Sequence, residues 1–146
     1  MSAKPTLTFI TTPNNPTGSV VKLVEIIELS KAAAAVGGLL VVDEAYAEFS
    51  SEISAVTLIE KYPNVVVIRT MSKAFAFAGA RVGYLVSDQA VKDAMMIVRL
   101  PYHLSALTQA AAQVAIDHRS ELLAGVSTLI AARETIVTEL HAMGLT

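Results

Sequence analysis

Cysteine is absent from the 146 residues, and with it disulfides, thiolate zinc sites and cysteine-held iron–sulfur clusters. A chain without thiols fits the reducing cytoplasm, which is the compartment expected for it. Charge is scarce: 16% of residues are charged and the net charge is −2. There is no basic stripe to grip a phosphate backbone, so nucleic acid is not an expected partner. No apolar run reaches the roughly 18 uninterrupted residues of a membrane span, and Met1-Ser2-Ala3-Lys4-Pro5 has no signal-peptide hydrophobic region. No membrane partner is expected either. There is no Walker loop, Gly-x-Gly-x-x-Gly stretch or Ser-His-Asp set, and His103, His118 and His141 show no metal-ligand spacing. What the chain has in quantity is apolar material, 53% of its residues, enough to bury the core of one globular domain.

Short runs rich in β-branched residues read as strands at Leu7 to Thr11, Leu39 to Val42, Val65 to Arg69 and Val82 to Val86. Helical patterns alternate with them. Val21 to Val36 places Val21, Val24, Ile27 and Ala34 on one face, opposite Lys22, Glu25, Glu28 and Lys31, and Gly37-Gly38 stops it. A shorter helix is expected over Ala55 to Lys61, ended by Pro63-Asn64. Ser87 or Asp88 can cap a helix to about Val98, with Pro101 as a breaker, and Ser105 can cap the next, to about His118. The last helix runs from about Ser120 to Met143, apolar on one side through Leu122, Leu123, Val126, Leu129, Ile130, Ile136, Val137 and Leu140. This order predicts an α/β fold, a mostly parallel sheet with helices on both faces. The outermost elements lie within a few residues of both termini, so the ends read as cut rather than finished.

Lys73 is the most informative residue, in the run Thr70-Met71-Ser72-Lys73-Ala74-Phe75-Ala76-Phe77-Ala78-Gly79-Ala80-Arg81 that follows a strand. An ammonium in so apolar a stretch is costly to bury unless chemistry uses it, as in a Schiff base with a carbonyl cofactor. The plain alternative is a solvated surface lysine. Desolvation and a nearby guanidinium would both favour the neutral amine that attacks an aldehyde. Thr70 and Ser72 bring hydroxyls on alternate positions and Arg81 a permanent cation with a planar fork, the donors a phosphate monoester needs. Asp43 ends an apolar run and reads either as a cap or as the ion-pair partner of a pyridinium nitrogen. Glu44 is expected to face solvent or a neighbouring loop. Tyr46 is either core packing or a phenol on the cofactor's ring oxygen. Asn15, in Asn14-Asn15-Pro16-Thr17-Gly18, is either a turn residue or an amide on the ligand. Asn15, Asp43 and Lys73 follow three different strand ends, where ligands collect in such folds. Together these groups suit pyridoxal 5'-phosphate.

Three segments carry a resemblance: Pro13-Asn14-Asn15-Pro16-Thr17-Gly18, Asp43-Glu44-Ala45-Tyr46-Ala47-Glu48-Phe49, and Arg69-Thr70-Met71-Ser72-Lys73-Ala74-Phe75 with Arg81. They resemble the fold-type I, class I/II aminotransferases that use pyridoxal phosphate, and within that family the histidinol-phosphate group, especially its actinobacterial forms. The resemblance implies that Lys73 holds the cofactor covalently and shuttles a proton, and that Asp43 pairs with the ring nitrogen. It implies that Tyr46 and Asn15 bind the ring oxygen, and that Thr70, Ser72 and Arg81 hold the phosphate. The reaction implied is amino transfer between L-histidinol phosphate, an amino-acid-like phosphate, and 2-oxoglutarate, in a cytoplasmic homodimer of histidine biosynthesis. Members of the family are longer. Residues 1–146 are similar to part of their large domain, with about 105–146 leading toward a small domain that supplies the arginine for the substrate carboxylate. Two other readings stand beside this one: a sister enzyme such as threonine-phosphate decarboxylase, and a non-catalytic aminotransferase-like module.

Overall fold

The computed structural model describes residues 3–145, so the two ends of the 1–146 domain expectation lie outside the described residues. Four strands form one sheet: β1 (Leu7–Thr11), β2 (Leu39–Asp43), β3 (Val65–Thr70) and β4 (Gly83–Val86), in the order β1-β2-β3-β4. β1, β2 and β3 run parallel, and β4 is antiparallel to β3. The 71–82 connection holds only a 3-10 turn at Ala78–Ala80 and folds straight back beside β3. The first two connections cross over instead, β1 to β2 through helix α1 (Leu23–Ala34) and β2 to β3 through 3-10 turns at Ala47–Phe49 and Ala55–Leu58. The expected helix at Ala55 to Lys61 is therefore a shorter and tighter element. Ser54 caps it by accepting from the Val56 amide at 3.1 Å.

The main core lies on one face of the sheet, where Leu40, Val42, Val65 and Val67 meet Ile26 and Ala33 of α1 and Ala55 and Leu58. Full burial of each Leu, Ile or Val contributes about 1.5–3 kcal/mol, so this cluster is the chief stabiliser of the sheet. Of the face expected inward, Val21 and Ile27 pack against the core but Val24 and Ala34 are exposed, and the buried side of α1 is centred on Ile26, Ser30 and Ala33. The stripe turns because Ser30 can be buried, its hydroxyl donating to the Ile27 carbonyl at 2.8 Å.

After β4 come α2 (Gln89–Val98), α3 (Ala106–Asp117) and α4 (Arg119–Ala142). Asp88 caps α2 by accepting from the Ala90 amide, and Ser105 caps α3 by accepting from the Thr108 amide. Met71 and Val82 pack with Ala115 of α3 in a second, smaller cluster that takes in Leu122 of α4. The expected apolar side of α4 is only partly used. Val126 is buried, whereas Leu129, Ile136, Val137 and Leu140 are exposed, because apolar residues are spread around this helix rather than gathered in one stripe. Coverage of the sheet is uneven in the same way: Val41 and Val66 are buried, but Leu7 and Phe9 on the edge strand are exposed.

Candidate active site

β1 and β2 end level, with Thr11 and Asp43 beside Ile68 of β3, and β3 runs two residues further to Thr70. Past those ends the Thr12 amide donates to the Asp43 carbonyl at 2.9 Å and the Glu44 amide to the Ile68 carbonyl at 3.0 Å. The loops that leave this edge carry Asn15, the segment Asp43 to Tyr46, and Thr70 to Lys73. Strand alternation sorts their side chains: Asp43 and Thr70 belong to one face, Glu44 and Arg69 to the core face.

The Asn15 loop is closed by its own polar groups. Buried Thr12 accepts from the Val21 amide at 3.0 Å, Asn14 Nδ2 donates to Thr17 Oγ1 at 2.7 Å, and the Asn14 amide donates to the Ser19 carbonyl at 2.8 Å. Gly18 turns the chain at φ +69°, a conformation that favours glycine. Asn15 thus is a turn residue by position, yet its side chain leaves the turn: Nδ2 donates to the Tyr46 hydroxyl at 3.3 Å. Tyr46 is half-buried, and the Lys73 Nζ stands 5.5 Å from its ring centroid, within cation–π range. Tyr46 therefore meets one residue from each of the other two loops, Asn15 and Lys73.

Lys73 itself is exposed, against the burial that its apolar neighbours suggest. Met71 and Ala74 are the residues of this stretch that turn inward. Asp43 is half-buried, and its Oδ1 accepts from the Ala45 amide at 3.0 Å, capping a turn rather than a helix. Among the described residues its second oxygen has no hydrogen-bond donor. The Thr70 hydroxyl donates to Ser72 Oγ at 2.9 Å and accepts from the Ser72 amide at 3.1 Å, which brings the two hydroxyls together at the end of β3. Arg81 is not joined to them by a side-chain bond. It is exposed, at φ +54°, and its Nη1 donates to the Ala78 carbonyl at 3.2 Å in its own turn. The backbone nevertheless holds it close, since the Met71 amide donates to the Val82 carbonyl at 3.1 Å.

Of the two expectations for Glu44, the neighbouring loop holds and solvent does not. Glu44 is 3% exposed, and its carboxylate accepts from Ser54 Oγ at 2.7 Å, from the Ala55 amide at 2.6 Å, and from Arg69 Nε and Nη2 at 3.0 and 2.7 Å. Arg69 Nη1 also donates to Glu48 Oε1 at 2.9 Å. Burial opposes the charge on Arg69, but the hydrogen bond and charge of Glu44, then the charge of Glu48, outweigh it and hold the guanidinium above its ordinary value. The sequence did hold a signal for this cluster: Arg69 shares the alternation of Val65 and Val67, so a core-facing guanidinium needed a carboxylate nearby. A cavity of about 420 Å³ adjoins the site, lined in part by Asn15, Tyr46, Phe49, Ser50 and Arg133. Lys73, Asp43, Thr70, Ser72 and Arg81 lie outside its lining.

The chain matches the family described as aminotransferase class I and II over residues 2–146. Histidinol-phosphate aminotransferase of Mycobacterium ulcerans (strain Agy99) is 57% identical over 142 residues, which cover 97% of this chain and 36% of that protein. The crystal structure of histidinol-phosphate aminotransferase from Sinorhizobium meliloti in complex with pyridoxal-5'-phosphate matches with a TM-score of 0.80 at 30% identity, over 90% of this chain and 36% of that one. L-threonine-O-3-phosphate decarboxylase from Porphyromonas gingivalis matches with a TM-score of 0.80 at 23% identity, over 93% and 42% of the two chains. This last likeness is one of fold alone. The chain spans little more than a third of the length of the curated relatives it matches.

Proposed function

This chain belongs to the class I and II aminotransferases, and we propose that it forms part of the cofactor-binding domain of an enzyme that exchanges an amino group between L-histidinol phosphate and 2-oxoglutarate, using pyridoxal 5'-phosphate. On this reading residues 105–146 lead toward the substrate-binding small domain, and the working enzyme is a cytoplasmic homodimer. The observation that carries the proposal is the meeting of Asn15, Tyr46 and Lys73 at the carboxyl edge of the sheet.

The donor set fits the cofactor. Thr70 and Ser72 offer adjacent hydroxyls and Arg81 a fork with free N–H groups, which suits a phosphate monoester. Asp43 keeps one carboxylate oxygen uncommitted and suits a protonated ring nitrogen, while Asn15 and Tyr46 suit a ring oxygen. When bound, pyridoxal phosphate supplies an electron sink for the bond broken at the substrate's α-carbon. Asp43 would keep the proton on the ring nitrogen, Tyr46 and Asn15 would orient the ring through its oxygen, and Thr70, Ser72 and Arg81 would anchor the phosphate. Lys73 Nζ would be the covalent tether, and its amine would shuttle the proton between the substrate's α-carbon and the cofactor's C4′.

Amino transfer is favoured over decarboxylation by the 57% identity to a histidinol-phosphate aminotransferase, against 23% to the decarboxylase. Borohydride reduction of the cofactor-loaded chain followed by peptide mapping tests the site. A phosphopyridoxyl group is expected on Lys73, and a label on Lys61 or Lys92 with none on Lys73 would refute the assignment.

A further inference from the structure

Behind the site, on the core face of the sheet, lies a charged cluster that the proposed chemistry does not use. Glu44 is nearly inaccessible and spends both carboxylate oxygens on Ser54, Ala55 and Arg69. Arg69 turns a third nitrogen to Glu48, and the side chains of both partners of that bond are largely shielded from solvent. A guanidinium gripped by two carboxylates is a directional joint, because its planar fork fixes angle as well as distance. The joint spans three places in the chain: the exit of β2, the 3-10 turn Ala47–Phe49, and the end of β3. Glu44 follows Asp43 directly, Tyr46 lies between Glu44 and Glu48, and Arg69 precedes Thr70 directly. Each member is thus covalently next to, or brackets, a residue on the other face that the proposed site uses.

We infer that Glu44, acting through Arg69 and Glu48, is a positioning residue that braces the 43–49 turn from the rear and so sets Tyr46 and Asp43 on the front. The inference rests on the cofactor reading above for its purpose, though not for its geometry. A buried carboxylate is needed for this and a similar neutral side chain does not serve. Glu44 receives the Ala55 amide on Oε1 and Ser54 and Arg69 on Oε2, so the single oxygen of a glutamine at residue 44 serves only one of these positions: its NH2 faces either the Arg69 donors or the Ala55 amide, and in both cases the charge that grips the guanidinium is lost while the volume is kept.

The test uses the chain carrying 3-fluorotyrosine, with the Tyr46 fluorine signal identified by its loss in Tyr46→Phe. Glu44→Gln and Arg69→Lys are compared with Leu58→Ala, a core variant that lowers stability without touching the joint. In the ligand-free chain the two joint variants are expected to move the Tyr46 signal toward that of free tyrosine, and Leu58→Ala to leave it in place. If Glu44→Gln fails to fold, Arg69→Lys and Glu48→Gln, at less buried positions, decide the matter by the same signal. With pyridoxal phosphate added, the joint variants are expected to bind it about tenfold more weakly than Leu58→Ala, a difference of one decade in Kd. A Tyr46 signal that stays put in the joint variants, or moves equally in Leu58→Ala, overturns the inference. A full-length enzyme that takes up no cofactor overturns the functional reading instead, and the ligand-free signal still decides whether the brace exists.

Discussion

Asp43 and Glu44 are neighbouring carboxylates with opposite duties, because the pleat turns successive side chains to opposite faces. Asp43, half-buried, accepts one backbone N–H; Glu44, buried, accepts from a hydroxyl, an amide and a guanidinium. Their substitutions should therefore separate function from stability. Asp43→Asn keeps an oxygen for the Ala45 amide, so a melting temperature close to wild type is expected. Transamination by the full-length enzyme should fall by several powers of ten, since a neutral amide holds the ring proton poorly and the electron sink supplies much of the barrier reduction. Turnover near wild type in Asp43→Asn would leave Asp43 as a turn cap only. Glu44→Ala should do the reverse first, because removing one partner of a buried ion pair costs about 3–5 kcal/mol. A denaturation midpoint close to wild type in Glu44→Ala would contradict that.

At the scale of elements, the turn from α1 into β2 shows two glycines used for different reasons. Gly37 lies at φ +75° in open space, so a side chain there strains the backbone and nothing else. Gly38 has an ordinary φ, but a Cβ would come 2.5 Å from the Pro5 carbonyl oxygen, a backbone atom that cannot swing aside. Gly37→Ala is expected to cost about 1–2 kcal/mol from the left-handed conformation. Gly38→Ala should cost more, toward the upper end of the roughly 1–3 kcal/mol of overpacking, because it pushes β1 from β2. Urea midpoints rank the two, and a milder Gly38→Ala would mean that the Pro5 segment yields easily. The strands were legible in the sequence because β-branched runs stop at polar or turn residues: β1 has its predicted bounds, and β2 and β3 each run one residue further, to Asp43 and Thr70. Caps were legible for the same local reason at Asp88 and Ser105. The buried face of α1 was not, because a serine that bonds its own helix counts as apolar only after folding. For the Glu44–Arg69 pair the alternation of Val65, Val67 and Arg69 showed that a carboxylate was needed but not which one, because the partners meet only across two paired strands. That the segments of Asn15, Asp43 and Lys73 leave one edge of the sheet could be read from strand ends alone; that Tyr46 is the residue between Asn15 and Lys73 could not. The exposure of Lys73 could not, since it depends on which residues of its loop turn inward.

For the molecule as a whole, the decisive feature is apolar surface left in water. Ile97 is 84% exposed, Leu100 75%, Tyr102 99% and Leu107 83%, from the end of α2 through the connection to the start of α3. Phe9 is 64% exposed on β1, which with β4 forms the two edges of the sheet. Monomers rarely leave contiguous apolar patches beyond a few hundred Å² in solvent, and edge strands without charge or proline pair readily with other chains. β1 (Leu-Thr-Phe-Ile-Thr) and β4 (Gly-Tyr-Leu-Val) carry neither safeguard. The 146 residues alone are therefore expected to self-associate, giving by size-exclusion chromatography with light scattering a mass above the 15.4 kDa of one chain. Phe9→Lys, which puts a charge on the β1 edge, should lower that mass if edge pairing drives association, and Ile97→Glu should do so if the α2–α3 stretch does. These residues alone should also bind pyridoxal phosphate weakly and show no turnover, since the resemblance assigns the arginine for the substrate carboxylate to a small domain beyond them. A stable 15.4 kDa monomer that transaminates histidinol phosphate at saturating cofactor would overturn both expectations at once, because it would show that neither a partner surface nor a second domain is needed to complete the site.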